Sequence, residues 1–153
     1  MVDSNGRGHW YWLLVSVGFF AVACAAPALE FERVRDAHRA WQWGVGLAII
    51  GWIAILVGQF GWFANLPLLI GWLMVAVRRT RAAAFCGAIA FLLALLTLQL
   101  MFKSFAAGDD HTSVSTVSRL GPGFFLWLGS MLVLPIGAVF LERRFRSAQT
   151  PTQ

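Results

Sequence analysis

The longest charge-free stretch of the chain, from Trp41 to Val77, limits the possible folds more than any other feature of the sequence. Three further apolar stretches without Asp, Glu, Lys or Arg flank it: Gly8 to Leu29, Ala82 to Phe102 and Leu120 to Leu141. A membrane-spanning helix needs about 20 consecutive apolar residues, and helices of water-soluble proteins seldom extend so far without a charge. The sequence therefore predicts an all-α protein, a polytopic transmembrane helix bundle.

The composition agrees with this fold class. Hydrophobic residues make up 59% and charged residues 12% of the 153 residues, whereas a typical globular domain is about 45–50% apolar and about 25% charged. The polar segments are too short to fold separately, so residues 1–153 are predicted to form a single transmembrane domain with a disordered tail at 147–153. The net charge of +5 comes from Arg residues beside apolar stretches, which indicates lipid-headgroup contacts rather than nucleic-acid binding.

The long central stretch must break to fit a bilayer. As one helix, Gly44 to Val77 would be about 50 Å long, whereas the hydrocarbon core is about 30 Å thick. Asn65 and Pro67 favour a break at Asn65–Pro67, because Asn caps helix N-termini and Pro is tolerated only in a first turn. Five apolar helical segments are thus predicted: Trp10–Ala28, Gly44–Ala64, Pro67–Val77, Ala82–Phe102 and Phe124–Leu141.

Two polar segments separate these helices. The charged run from Glu30 to Arg39 is predicted to be a short helix at the membrane surface, and Lys103 to Arg119 a polar loop. Asp109, Asp110 and His111 in that loop have the ligand types for a divalent cation. Three adjacent residues seldom reach one ion without help from elsewhere, so we expect a solvated loop and no metal site.

Small residues at helical spacing predict close helix packing, because they let membrane helices approach one another. They recur on one face of the second predicted segment and on one face of the fourth. The predicted packing residues are Gly44, Ala48, Gly51, Gly58 and Gly61 in the second segment, and Ala83, Gly87, Ala90 and Ala94 in the fourth.

Clusters of arginine predict the orientation in the membrane, since cytoplasmic loops carry an excess of basic residues. The clusters that we assign to the cytoplasmic surface, together with the C-terminus, are Arg78, Arg79 and Arg81, and Arg143, Arg144 and Arg146. Two topologies remain open. If the break turns the chain back, five crossings with an outside N-terminus leave nine of the twelve basic residues on the cytoplasmic side. If Pro67–Val77 is only re-entrant or interfacial, four crossings with an inside N-terminus leave seven.

Two segments of the chain, residues 61–67 and 121–130, resemble those of a group of small bacterial inner-membrane proteins whose function is uncharacterised. Members of that group carry a Trp-x-Ala-Asn-Pro segment in mid-chain and a Gly-x-Tyr-x-Leu-Trp-Leu-x-Ser segment that opens the last helix. This chain has Leu66 between Asn65 and the proline, and Phe124 or Phe125 in place of the tyrosine. The resemblance implies a location in the bacterial inner membrane and no particular activity.

The residues that carry chemistry in other proteins do not form a pattern here. The sequence contains no Ser-His-Asp set, phosphate-binding glycine loop or zinc-ligand spacing. The polar residues of the apolar stretches, Gln59 and Gln99 among them, are typical of hydrogen bonds between membrane helices. We therefore expect no catalytic residue, no cofactor and no enzymatic activity.

Two functions are consistent with this sequence. The first is association: an accessory or scaffold subunit, or a homo-oligomer, whose partners are the lipid bilayer and itself or another membrane protein. The alternative is a small transporter or channel protomer that uses the broken helix near Asn65, as broken helices do in transporters. A water-accessible cavity that reaches both Gln59 and Asn65 would favour the alternative.

Overall fold

The computed structural model describes residues 5–33, 38–102, 104–106 and 114–149, and most of them are helical. The α-helices of these ranges are α1 (Asn5–Ala25), α2 (Gly44–Ile50), α3 (Asn65–Ala76), α4 (Thr80–Leu95) and α5 (Pro122–Gln149). Three 3₁₀ helices adjoin them: Gly51–Val57 follows α2, Gly61–Ala64 precedes α3, and Leu96–Phe102 extends α4.

Three helical stretches are long and apolar enough to cross a membrane. They are Gly8–Ala25 in α1, Thr80–Phe102 in α4 with its 3₁₀ extension, and Pro122–Leu141 in α5. The other two apolar helical stretches, Gly44–Leu56 and Gly61–Ala76, are shorter. Apolar helix is therefore found in all five predicted regions, but only three of the stretches reach spanning length.

The fold is not all-α, because four strands form an antiparallel sheet. The strands are β1 (Pro27–Arg33), β2 (His38–Trp43), β3 (Ser104–Ala106) and β4 (Val114–Leu120), in the order β2-β1-β4-β3. They take the place of the predicted surface helix in the described parts of Glu30–Arg39, residues 30–33 and 38–39, and of part of the predicted loop at Lys103–Arg119. Pairing satisfies the peptide groups of these segments next to the apolar helices, and β4 contains several of the β-branched residues that strands favour.

The sheet is joined directly to four helix ends. β1 follows α1, β2 precedes α2, β3 follows the extension of α4, and β4 precedes α5. Register and hydrogen bonds tie these junctions together: Leu29 pairs with Leu120, and the amide of Gly121 donates to the carbonyl of Ala28 at 2.8 Å. We call this end of the molecule the sheet end, and the opposite end, where α3 turns into α4 at Arg78, the arginine end.

The long helices pack in antiparallel pairs. α1 lies against α5. Near the arginine end the Trp12 ring stacks on the Phe140 ring, with 5.7 Å between the ring centroids. α4 packs on α5 where Gly87 meets Leu134 and Pro135, and α3 packs on α4. The residues of α4 that are buried are the four that its small-residue pattern singled out: Ala83, Gly87, Ala90 and Ala94.

The chain folds back at Gly58, and not at Asn65–Pro67 as the sequence predicted. Gly58 has φ 72°, a left-handed conformation that glycine adopts without steric cost. Its amide donates to Ile55, and the amide of Gln59 donates to Ala54, each at 2.9 Å, which is the Schellman arrangement that ends a helix. At Ala64 and Asn65 the 3₁₀ helix instead runs straight into α3, with Pro67 in its first turn.

Gly58 is consequently a helix terminator and not the packing residue that we predicted, and its position in the chain is exposed. The other glycines of this region do make close contacts, as described below. We call the stretch from Gly44 to Ala64 the folded-back segment, because Trp62 returns to lie beside Ala48 and Gly51.

The C-terminal helix is longer than predicted. α5 continues to Gln149, so residues 147–149 of the predicted disordered tail are helical. Residues 142–149 lack Gly and Pro and are rich in residues of high helix propensity, which explains the extension. Arg143, Arg144 and Arg146 belong to this part of α5. Asp109, Asp110 and His111, and residues 150–153, lie outside the described residues.

Candidate functional site

A cavity of about 120 Å³ lies at the sheet end, beneath the sheet and between the helices. Its walls come from the last turns of α1, from β1, from the folded-back segment, from the 3₁₀ extension of α4 and from the first turns of α5. The lining is predominantly apolar, and none of the described residues that form it is Asp, Glu, Lys or Arg. The site is therefore suited to an uncharged molecule.

Glycines hold the folded-back segment against the rest of the chain. A Cβ atom added at Gly44 would collide with the carbonyl oxygen of Ala23 in α1, and one added at Gly61 with the Thr97 hydroxyl. At Gly51 an added Cβ would lie 2.6 Å from the Trp62 ring. The small-residue face that we predicted for this segment is thus used for contacts within the chain, around the cavity.

Two tryptophan side chains complete the walls. The indole Nε1 of Trp62 donates to the carbonyl oxygen of Ala48 at 2.9 Å. The Nε1 of Trp127 donates to Oδ1 of Asn65 at 2.8 Å and thereby joins α5 to α3. Both indole N–H groups have their partners inside the protein, so neither is available to a bound molecule.

Gln59 is a further polar residue of the cavity lining. Its residue is only 3% exposed, and its Nε2 atom has no hydrogen-bond partner within the described part of the chain. A buried donor left unsatisfied costs about 1–3 kcal/mol. Nε2 is itself covered, but Gln59 lines the cavity, so a turn of the side-chain amide would let a molecule there offer the acceptor that the protein does not.

The sequence singled out several of these residues without showing how they meet. Gln59 and Asn65 are polar residues that the sequence singled out in apolar stretches, and the structure brings both of them to one cavity together with Thr97. The segments 61–67 and 121–130 meet through Asn65 and Trp127. The roles of Trp62 and Trp127 as buried donors were missed, because the partner of an indole is set by the tertiary fold.

Other polar groups of the helices act as links or lie elsewhere. Trp72 Nε1 donates to Ser16 Oγ at 2.8 Å, and that hydroxyl donates to the carbonyl of Ser130 at 2.6 Å, which connects α3, α1 and α5. His9, near the start of α1, is 6% exposed, and its Nε2 has no partner among the described residues. No three His, Cys, Asp or Glu side chains are grouped as metal ligands within those residues.

Comparison of the chain with protein-family models, with curated protein sequences and with solved structures finds no match.

Proposed function

We propose that this protein is an integral membrane protein that binds a small molecule in the cavity beneath the sheet and acts as a small transporter or channel protomer. The observation that carries the proposal is Gln59, a residue that lines the cavity and whose buried Nε2 donor lacks an acceptor within the described part of the chain. Asn65 also lines the cavity. A cavity that reaches both Gln59 and Asn65 favours a transporter or channel over association.

A topology of four crossings suits this arrangement. The folded-back segment begins at the sheet end, where Gly44 meets Ala23, and it returns near that end, where Gly61 meets Thr97. It therefore does not cross, whereas α1, α3, α4 and α5 run between the two ends. The non-crossing segment in this topology is thus Gly44–Ala64, and not Pro67–Val77 as in the sequence-based alternative. α3 is short, and long Arg side chains beyond its end reach the headgroups by snorkelling.

The positive-inside rule assigns the arginine end to the cytoplasm. The turn at Arg78–Arg81 and both ends of the chain then lie on the cytoplasmic side of a bacterial inner membrane. The sheet and the mouth of the cavity face the other side. Exposed Trp41 and Trp43 on β2 suit the membrane interface on that side, where tryptophan is enriched.

The association function has less support. It rested on glycine faces free to contact another helix, and in this chain Gly44, Gly51 and Gly61 are covered by neighbouring parts of the same molecule. Gly87 is likewise covered by α5. A role as an accessory subunit or a homo-oligomer would have to use the remaining lipid-exposed surface.

Filling the cavity tests the proposal. Ala54 lines the cavity, and Ala54→Leu adds three carbons there. Leu56, which is 82% exposed on the same 3₁₀ helix, provides the control Leu56→Phe, which adds bulk on the outside. Native mass spectrometry of the protein released from mild detergent should detect a bound small molecule in the wild type and in Leu56→Phe, but not in Ala54→Leu. Equal occupancy in all three proteins would refute binding in this cavity.

A further inference from the structure

We propose that the molecule bound beneath the sheet is an uncharged, largely apolar compound that presents a carbonyl oxygen to Nε2 of Gln59. This inference rests on the proposed function and adds the chemical class of the ligand. Three properties of the cavity lead to it: its charge, its hydrogen-bonding groups and its size.

The absence of charge from the described lining excludes an ionic ligand. An ion moved into an apolar site loses its hydration, and the free-energy cost is large unless an opposite charge compensates. The cavity offers apolar side chains and a few neutral polar groups. The part of the ligand that enters it is therefore neutral and mostly hydrocarbon.

The polar groups select an acceptor. The Nε2 atom of Gln59 is a donor without a partner in the described chain, whereas Oδ1 of Asn65 already accepts a hydrogen bond from Trp127. A ligand group that only accepts, such as a carbonyl, satisfies the free donor and adds no new donor to be satisfied. A buried water would also accept this hydrogen bond, but it needs two to four polar partners, and the lining is predominantly apolar.

The size of the cavity limits the buried part of the ligand to about one ring. An apolar cavity of about 150 Å³ holds benzene, and this one measures about 120 Å³. A cyclic ketone or the quinone ring of a free membrane compound meets these limits. So does the ester-carbonyl region of a phospholipid, because the cavity is at the sheet end, near exposed Trp41 and Trp43.

Paired probes of equal shape test the carbonyl. Cyclohexanone and methylenecyclohexane differ only in that the carbonyl oxygen of the first is replaced by a CH₂ group in the second, and we would measure the binding of each to the full-length, delipidated protein in detergent. One net hydrogen bond predicts about tenfold tighter binding of the ketone. The preference should vanish in Gln59→Leu and persist in Gln99→Leu, a matched change at an exposed position outside the cavity.

Infrared spectroscopy of the bound ketone gives a second readout that needs no variant. A hydrogen bond to the carbonyl lowers its stretching frequency below the value in hexane. Equal binding of the two probes by the wild type, or an unshifted carbonyl band, would overturn the inference and leave cavity binding intact. The proposed function would fail as well if neither probe bound the wild type. It would also fail if Ala54→Leu left the binding of both probes unchanged.

Lipid discs distinguish the two sources of the carbonyl. In discs of ester-linked phospholipid, a lipid carbonyl at Gln59 would compete with the ketone, and ether-linked phospholipid lacks that group. Weaker ketone binding in ester discs than in ether discs would identify the phospholipid as the ligand. Equal, carbonyl-dependent binding in both would identify a free ketone or quinone. Both results support the inference, and loss of the ketone preference in both discs would contradict it.

Discussion

The contact between α4 and α5 at Gly87 is close enough that a single methyl group should disrupt it. A Cβ atom added at Gly87 would lie 2.8 Å from Cβ of Leu134 and from Cδ of Pro135, and 2.9 Å from the carbonyl oxygen of Met131. These are backbone or near-backbone atoms, which cannot move aside as the end of a flexible side chain can. We therefore expect Gly87→Ala to separate the two helices.

The magnitude follows from two opposing terms. Replacing Gly by Ala inside a helix stabilises it by about 1 kcal/mol, whereas an extra methyl group in a well-packed contact costs about 1–3 kcal/mol. Gly18 in α1 provides a control, because in the described part of the chain an added Cβ there meets no atom within 4 Å. Gly18→Ala keeps the gain in helix propensity without the cost of overpacking. Gly87→Ala should therefore be less stable than Gly18→Ala by about 1–3 kcal/mol.

Reversible unfolding in mixed micelles measures this difference. Circular dichroism at increasing fractions of sodium dodecyl sulfate gives the free energy of unfolding for the wild type and both variants. We expect Gly18→Ala to be as stable as the wild type or more stable. If Gly87→Ala matched Gly18→Ala, the close α4–α5 contact would not exist in the membrane protein, and the reasoning would be refuted.

Three further predictions use the same protein. Gly58→Ala should lower the free energy of unfolding by about 1–2 kcal/mol, because Gly58 has φ 72°. Arg78→Gly should raise the free energy of unfolding, because Arg78 has φ 61°. Changes of the opposite sign would contradict the left-handed conformations. Ser16→Ala removes the acceptor of Trp72 and should cost about 1–3 kcal/mol, with a change in tryptophan fluorescence; an unchanged spectrum would argue against that bond. A green fluorescent protein fused after Gln153 should fluoresce, and an active alkaline phosphatase fused there would place the C-terminus outside.

Local patterns predicted the helices better than they predicted the connections between them. The spacing of Ala83, Gly87, Ala90 and Ala94 defines one face of α4 because neighbouring turns of one helix decide it. The strands have no such local signature. β1 is stabilised by pairing with β4, which lies far along the chain, and its alternating charged residues are equally typical of an exposed helix. Only the pairing of β1 with a distant strand distinguishes a strand from a helix at this place in the chain.

The position of the reversal shows how one residue type can serve two purposes. Gly58 lies in register with the packing glycines, yet its conformation ends the helix. Asn65 and Pro67 carry helix-start signals, and α3 does begin at Asn65, but a helix start requires no change of direction. For the cavity, the polar residues Gln59 and Asn65 stood out in the sequence. Their common wall depends on the reversal at Gly58 and could not be predicted before it was located.

The pairing of β1 with β4 also sets an order for biogenesis. β1 emerges after the first helix, but its neighbour β4 is synthesised only just before the last one. The central ladder of the sheet therefore cannot form until nearly the whole chain has been synthesised. Long-range pairing of this kind is slow, because distant segments must first meet. Until then the cavity lacks both the sheet beside it and the lining that α5 contributes, so its final shape is among the last features of the fold to form.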